Sequence, residues 1–395
     1  MNIILFDTEQ TWKNLLPLTY TRPISELRIG ILRISEKWQK YLDGSISYFT
    51  QKYLQGKYPF SAEEENILIN SSLLPDKYLS ETIKNLPLNS ILKKDNIILA
   101  AHTDKDGVDR VICNPEKFNA IEYNQEISMI NYLWDIFLIN GQEIEKDFKL
   151  ITAGRQSASL SDSNKIFQPE RIFVEPGAKA EAAIINPAGG YIYIGKDAEI
   201  MEGAIIRGSL AMCEHSVIKM GAKIYGPTTL GPYSKVGGEV NNSVIIGYSN
   251  KAHDGFLGNS VLGEWCNIGA DSNNSNLKNN YAQVKLWNYD EEKFVSTGQQ
   301  FCGLFMGDHS KCGINTMFNT GTVVGVSCNI FGAGFPRKFI PSFSWGGPHG
   351  YEEYRFDKAM DTARRVMARR KKELTDKDIA ILKQVFELSK KYRNF

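Results

Sequence analysis

The chain has 395 residues, enough for two or three domains with full-sized cores. Apolar residues make up 42% and charged residues 23%, the composition of a soluble globular protein. With 46 Lys and Arg against 45 Asp and Glu there is no bulk attraction to nucleic acid or to an anionic membrane, so a phosphate site has to be built locally.

The opening "MNIILFDTEQTW" is an apolar run broken by Asp7 and Glu9, which reads as a first strand and not as a secretion signal. No apolar run approaches the ~20 residues that span a bilayer. "ISEKWQKYL" then reads as a helix, "NILINSSLLP" as a strand entering a loop, "PDKYLSETIKNL" as a second helix and "NIILAA" as a strand. This alternation predicts an α/β domain over residues 1–150 with a largely parallel sheet. The apolar spacing of Leu133, Ile136, Phe137 and Asn140 predicts a linking helix over Asn131–Ile151 at its end. The polar "TAGRQSASLSDSN" after it is a linker or surface turn.

From Ile194 onward bulky residues recur at every sixth position: Ile194, Ile200, Ile206, Met212, Ile218, Ile224, Leu230 and Val236. The spacing returns at Leu262 and Ile268, and again at Met306, Cys312, Phe318, Val324 and Ile330. A helix repeats near 3.6 and a half-buried strand at 2, so neither explains it. A hexapeptide repeat signals a parallel β-helix, in which three hexapeptides make one triangular coil around a narrow apolar bore. Glycines after the bulky residue are expected to turn corners, and Ala198, Ala204, Ser216, Ala222 and Ser234 fill the small position. This domain is placed at residues 165–345. Residues 351–395 are a helical tail, with Thr375 placed to cap the last helix and the Arg/Lys run 369–372 expected on a solvated helix face.

The six cysteines form no CxxC pair and no Cys/His cluster, so reduced thiols of a cytoplasmic protein are expected, and no metal site.

Three stretches carry a family resemblance: "GPYSKVGGEVNNSVI", "KAHDGFLGNSVLGEWCNIGAD" and "STGQQFCGLFMGDHSKCGIN". With the domain order, they make the chain similar to the bifunctional N-acetylglucosamine-1-phosphate uridyltransferase/glucosamine-1-phosphate N-acetyltransferase family in its shorter, divergent form. The resemblance implies an α/β nucleotidyltransferase-like (Rossmann-like) domain, a left-handed parallel β-helix and C-terminal helices. It implies acetylation of an amino-sugar phosphate by acetyl-CoA in UDP-N-acetylglucosamine formation, by a cytoplasmic homotrimer with sites between subunits. The family histidine stands two residues before a "YLGD" element, and His253 stands likewise before "FLGN". The family asparagines fall on Asn267 and Asn276, and Ala270 takes the small position beside a CoA pantetheine. Imidazole suits the base role because it titrates near neutral pH.

The departures are specific. The family's tyrosine is Phe256, its substrate lysine falls on Asn241, and its "RPG" arginine has only Lys235 nearby. Lys251 and Lys285 are the other cations within reach, each read as solvated. His215 and His309 have no supporting motif and read as structural.

In the first domain the glycine-rich phosphate loop of the family is replaced by "FDTEQTWKNLLPLTYTRP", without glycine and with Asp7 and Glu9. "PLTYTRP" matches and makes Arg22 a nucleotide-binding candidate. The loop lysine becomes Ile31, and the metal-binding aspartate is replaced by Asn70, Ser71 and Ser72. UTP and Mg2+ follow only if this domain is active. Two alternatives stand beside the acetyltransferase: a nucleotidyltransferase whose β-helix serves oligomerisation and regulation, and a non-catalytic nucleotide-sugar-binding scaffold.

Overall fold

The computed structural model describes residues 2–395. The chain forms two compact units: one of residues up to Leu15, Thr21–Leu27 and Leu32–Tyr132, the other of Leu16–Tyr20, Arg28–Ile31 and Leu133–Phe395.

In the first unit Asn2–Phe6, buried at all five positions, pairs in parallel with Ser45–Phe49 on one side and Asn66–Asn70 on the other. The six-stranded sheet continues through Ile97–Thr103, Ser90–Lys94 and Asn119–Glu122. Here the largely parallel expectation is corrected. Ile97–Thr103 runs antiparallel to both of its neighbours, so the sheet is mixed. The cause is a hairpin: Lys94 and Ile97 are joined by Asp95 and Asn96, and Asp95 adopts φ 54°, the left-handed conformation that Asp tolerates in a tight turn. The expected single helix over Asn131–Ile151 is two, Asp135–Leu138 and Asn140–Thr152.

The second unit is the left-handed parallel β-helix. Its first face is a nine-stranded parallel sheet in which Val174, Ile194, Met212, Leu230, Ile245, Leu262, Met306, Val324 and Ile340 stack in register. The second face stacks Ala180, Ile200, Ile218 and Val236, and the third Ile185, Ile206, Ile224, Val240 and Leu257. Every sixth-position residue named from the sequence is at most 4% exposed, and the small ones at most 1%. Burying each aliphatic contributes about 1.5–3 kcal/mol, and stacked coils make that core continuous.

The period first fails after Leu230. Met212 to Leu230 is a coil of 18 residues, but Leu230 to Ile245 is one of 15, stepping through Val236 and Val240. The steps there are 6, 4 and 5, which is why the sixfold count stops at Val236.

Glycines supply the turns expected of them at the corner after the second face, where Gly203, Gly221 and Gly238 have φ between 67° and 72°. At the corner after the first face the left-handed positions belong instead to Asp197, His215, Tyr233, Tyr248, Trp265 and His309, with φ between 53° and 61°. Such a conformation costs about 1–2 kcal/mol for a residue with a Cβ. The rings offset it by stacking: His215–Tyr233 at 4.6 Å, Tyr233–Tyr248 at 5.3 Å, Tyr248–Trp265 at 4.3 Å and Trp265–His309 at 6.3 Å. His215 and His309 thus end a structural ladder. Gly231 is needed for close approach instead, since a Cβ there would lie 1.8 Å from the Ile246 carbonyl oxygen.

After the β-helix come the helices Phe356–Ala368 and Asp376–Leu388. Thr375 caps the second in a capping box, its Oγ1 accepting from the Asp378 N–H while Asp378 accepts from the Thr375 N–H at 3.0 Å. No helix among the described residues is long and apolar enough to cross a membrane.

Candidate functional site

His253 is exposed on a turn between the second and third faces of the β-helix. Five residues separate Lys251 from Leu257 in this coil, whereas only three separate Val236 from Val240 in the coil before. The longer turn lies against the shorter one because the shorter one is Gly237–Gly238. A Cβ at Gly237 would meet the Ala252 carbonyl oxygen at 2.2 Å, and one at Gly238 the Asp254 Cα at 2.8 Å. On the other side a Cβ at Gly255, φ +112°, would meet the Ser272 carbonyl oxygen at 2.2 Å. The turn is clamped between two coils.

It is also held from within. Lys251 occupies the column of Ile218 and Val236, where the repeat demands an aliphatic, and is 1% exposed. The solvated reading of this lysine is corrected. Its Nζ donates to the His253 carbonyl at 2.5 Å and to the Asp254 carbonyl at 3.2 Å. It lines an internal void of about 10 Å³ with Leu257, Ile268, Asn274, Leu304 and Phe318. Burial pushes the ammonium down to about 8, against the smaller opposing pull of Asp254, Cys312 and Asp271. Counting six from Ile245, after the short coil, places Lys251 at an inward position; counting on from Val236 does not.

The residues named from the sequence fall into three groups. At the corner, Ala270 stacks on the His253 turn: the Asp271 N–H donates to the Asp254 carbonyl at 3.0 Å, and the Ala270 carbonyl accepts from the Asn315 N–H at 2.9 Å. On the second face Lys235, Asn250 and Asn267 stand in register, all half-buried, with Asn250 Nδ2 donating to Asn267 Oδ1 at 3.0 Å. On the third face Asn241 is the register partner of Gly258. The Phe256 ring lies across Gly258, where a Cβ would come within 2.4 Å of it and 2.8 Å of Asn276 Nδ2. Asn276 Nδ2 donates to Asn259 Oδ1 at 2.8 Å. Lys285 is exposed on the strand Lys285–Asn288, outside these groups.

In the first unit Asp7 follows the strand Asn2–Phe6. Its Oδ1 accepts from the Ile24 N–H at 3.2 Å and its Oδ2 from the Thr50 hydroxyl at 2.5 Å. Burial pushes its carboxyl up to about 6, outweighing the hydrogen bonds from Thr50, Ser71 and Ile24. This half-buried carboxyl is thus engaged within the protein and ties down the loop that carries Arg22, itself 4% exposed. Asn70 accepts from the Ser72 N–H and hydroxyl and donates to the Ile98 carbonyl; Asn70, Ser71 and Ser72 are all buried. The Asn70 and Ser72 oxygens are engaged within the protein and do not by themselves make a magnesium site. Among the described residues there is no group of three or more His, Cys, Asp or Glu able to hold a metal ion.

Residues 3–156 match the family model described as sugar nucleotidyl transferase. The bifunctional sugar-1-phosphate nucleotidylyltransferase/acetyltransferase of Sulfurisphaera tokodaii is 32% identical over 144 residues, 36% of this chain and 35% of that protein. The bifunctional protein GlmU of Methanocaldococcus jannaschii is 34% identical over 92 residues, 23% of this chain and 22% of that one. The matched stretches thus span about a third of the first relative's length and less of the second's. Among solved structures, the UDP-N-acetylglucosamine acyltransferase of Campylobacter jejuni aligns at a TM-score of 0.21 and 18% identity, over 56% of this chain and 83% of that one. The chain is similar to bifunctional sugar-1-phosphate nucleotidylyltransferase/acetyltransferases, with a sugar nucleotidyl transferase match over residues 3–156 and a left-handed β-helix after it.

Proposed function

We propose that the β-helix is an acetyl-CoA-dependent N-acetyltransferase acting on an amino-sugar phosphate, glucosamine-1-phosphate being the first acceptor to test, with His253 as the base. The observation that carries this reading is the His253 turn, its imidazole in solvent while the backbone beneath is clamped by glycine-lined coils and by Lys251. A base on a turn so constrained is held in place before the substrate arrives.

In the proposed step the acceptor nitrogen attacks the acetyl carbonyl carbon, the C–N bond forms and the C–S bond breaks. His253 takes the proton the amine loses and returns it to the departing CoA thiolate. Asn267 and Asn276 would bind sugar hydroxyls, with Asn241 and Phe256 lining the third face and Lys235 meeting the phosphate. Ala270, small and beside the turn, leaves room for the pantetheine. A homotrimer fits the exposed apolar residues along this side, Ile184, Ile205 and Met317 on the third face and Met220 and Ile314 at the corner.

The test is release of CoA thiol from acetyl-CoA with glucosamine-1-phosphate. Turnover should fall about 10²–10⁴-fold in His253→Ala without loss of the fold. Thiol release unaffected by the substitution would remove His253 from the chemistry. A second reading, nucleotidyl transfer by the first domain with UTP and Mg2+, rests on the family match over residues 3–156. Pyrophosphate release from UTP and a sugar 1-phosphate would support it, with Arg22→Ala lowering the rate.

A further inference from the structure

With Lys251 buried and Lys285 outside the three groups of the site, Lys235 is the one cation named from the sequence that is left for the acceptor's phosphate. The structure gathers three more around it. Lys219 lies on the preceding coil, its N–H donating to the Val236 carbonyl at 2.8 Å, and the site of a Gly237 Cβ is 3.3 Å from Lys219 Cβ. The other two come from the C-terminal region. The helix Phe356–Ala368 lies on the second face, where Ala359, Thr362 and Ala363 share a cavity of about 150 Å³ with Lys311, Asn329 and Trp345. From Lys311 the register runs back through Asn267 and Asn250 to Lys235, three coils or about 14 Å. Along the helix, Ala363 to Arg370 advances about 10 Å, and an arginine side chain spans the difference.

That length brings Arg369 and Arg370 close enough for their charges to act on Lys235, as the charge of Lys219 does. Burial, then Arg370, Lys219 and Arg369, hold the Lys235 ammonium below its ordinary value, and burial and Arg369 do the same to Arg370. Glu199 is the carboxylate acting in the opposite sense on Lys235. Among the described residues none of the four cations forms an ion pair, and the recorded side-chain contact of Lys219 is with Met201 Sδ at 3.3 Å. The basic run expected on a solvated helix face instead follows the helix end, with Arg370 half-buried. Four cations against one carboxylate, three of them half-buried, repel one another, and an anion joining them relieves that repulsion. The cluster also adjoins the His253 turn, because a Cβ at Gly237 would meet both Lys219 Cβ and the Ala252 carbonyl.

We propose that Lys219, Lys235, Arg369 and Arg370 form a phosphate-binding site, assembled from two coils of the β-helix and the end of the C-terminal helix, for a substrate whose reacting group sits at His253. The placement of that reacting group rests on the acetyltransferase reading; the phosphate site itself does not. The phosphate belongs either to the sugar or to CoA, and guanidinium pairs suit both.

The experiment is calorimetric titration of the full chain and of its Arg369→Ala/Arg370→Ala variant with four probes: glucosamine-1-phosphate, glucosamine, CoA and pantetheine. The expected result is that the variant binds one phosphate-bearing probe at least tenfold more weakly while its phosphate-free counterpart is unaffected. Loss on glucosamine-1-phosphate assigns the site to the sugar, and loss on CoA assigns it to the cofactor. The variant should melt at or above the wild-type temperature, because repulsion has been removed. Unchanged affinity for both phosphates, equal weakening with and without phosphate, or no phosphate-dependent binding by the wild type would each overturn the proposal. Since no turnover is needed, an inactive enzyme with intact phosphate binding would reject the acetyltransferase reading alone.

Discussion

The Lys251 ammonium donates to the His253 carbonyl at 2.5 Å from inside the β-helix, so the exposed turn is anchored by a charge buried beneath it. A buried ammonium costs several kcal/mol unless its hydrogen bonds are met, and here two carbonyls of one turn meet them. Lys251→Met restores the aliphatic rule of the column and frees the turn. Acetyl transfer should fall about 10–100-fold through kcat, with KM for the acceptor nearly unchanged. The stability effect has a definite sign. Because the folded-state value lies near 8 and the ordinary one at 10.5, the penalty for charging Lys251 is complete below pH 8. It fades between pH 8 and 10.5, where the unfolded chain still binds the proton the folded chain has released. Wild-type protein should gain up to about 3 kcal/mol relative to the variant across that window. Urea unfolding at pH 7.5 and 10 measures it, and a constant difference would refute the assignment.

Asp7 titrates with the opposite sign. Its carboxyl is raised from 3.8 to about 6, so the folded chain holds a proton between those values that the unfolded chain has lost. The contribution favours the folded state fully below pH 3.8 and declines as pH rises to 6. Asp7→Asn keeps the neutral shape. Its stability relative to wild type should therefore rise by at most about 3 kcal/mol between pH 3.5 and 7, followed by denaturant titration at each pH. A relative stability that falls over this interval would mean the hydrogen bonds from Ile24 and Thr50 outweigh desolvation.

Gly255 and Gly221 separate crowding from conformation. Both have positive φ, but a Cβ at Gly221 meets nothing within 4 Å, whereas one at Gly255 meets the Ser272 carbonyl oxygen at 2.2 Å. Gly221→Ala should cost about 1–2 kcal/mol from the left-handed conformation alone. Gly255→Ala should exceed it and lower acetyl transfer as well, because the clamped turn must shift. Melting temperatures of the two variants decide the order.

The repeat makes its own prediction. Ile218→Ala empties part of the bore and should cost about 2–5 kcal/mol. Val217→Ala, one position away on the outside of the same strand, should cost far less. Equal losses would show that the bore is not the source of stability.

The β-helix was legible because its core is written locally. A residue's interior neighbours are six and eighteen positions away, so the period alone names Ile194 through Val236 and Met306 through Ile330 as buried, and all of them are. The helices Ile34–Leu42 and Lys77–Lys84 and the Thr375 cap were legible for the same reason. Tertiary structure alone decided what depends on register across irregular segments. A coil of 15 residues shifts the phase, and that shift turns Lys251 inward, where a count from Val236 cannot place it. The antiparallel strand Ile97–Thr103 depends on a two-residue hairpin, and the cations at Lys235 come from residues 134 and 135 positions away, at Arg369 and Arg370. Periodicity records which side of one strand faces the core; which distant segment lies against the other side is settled only when the chain packs.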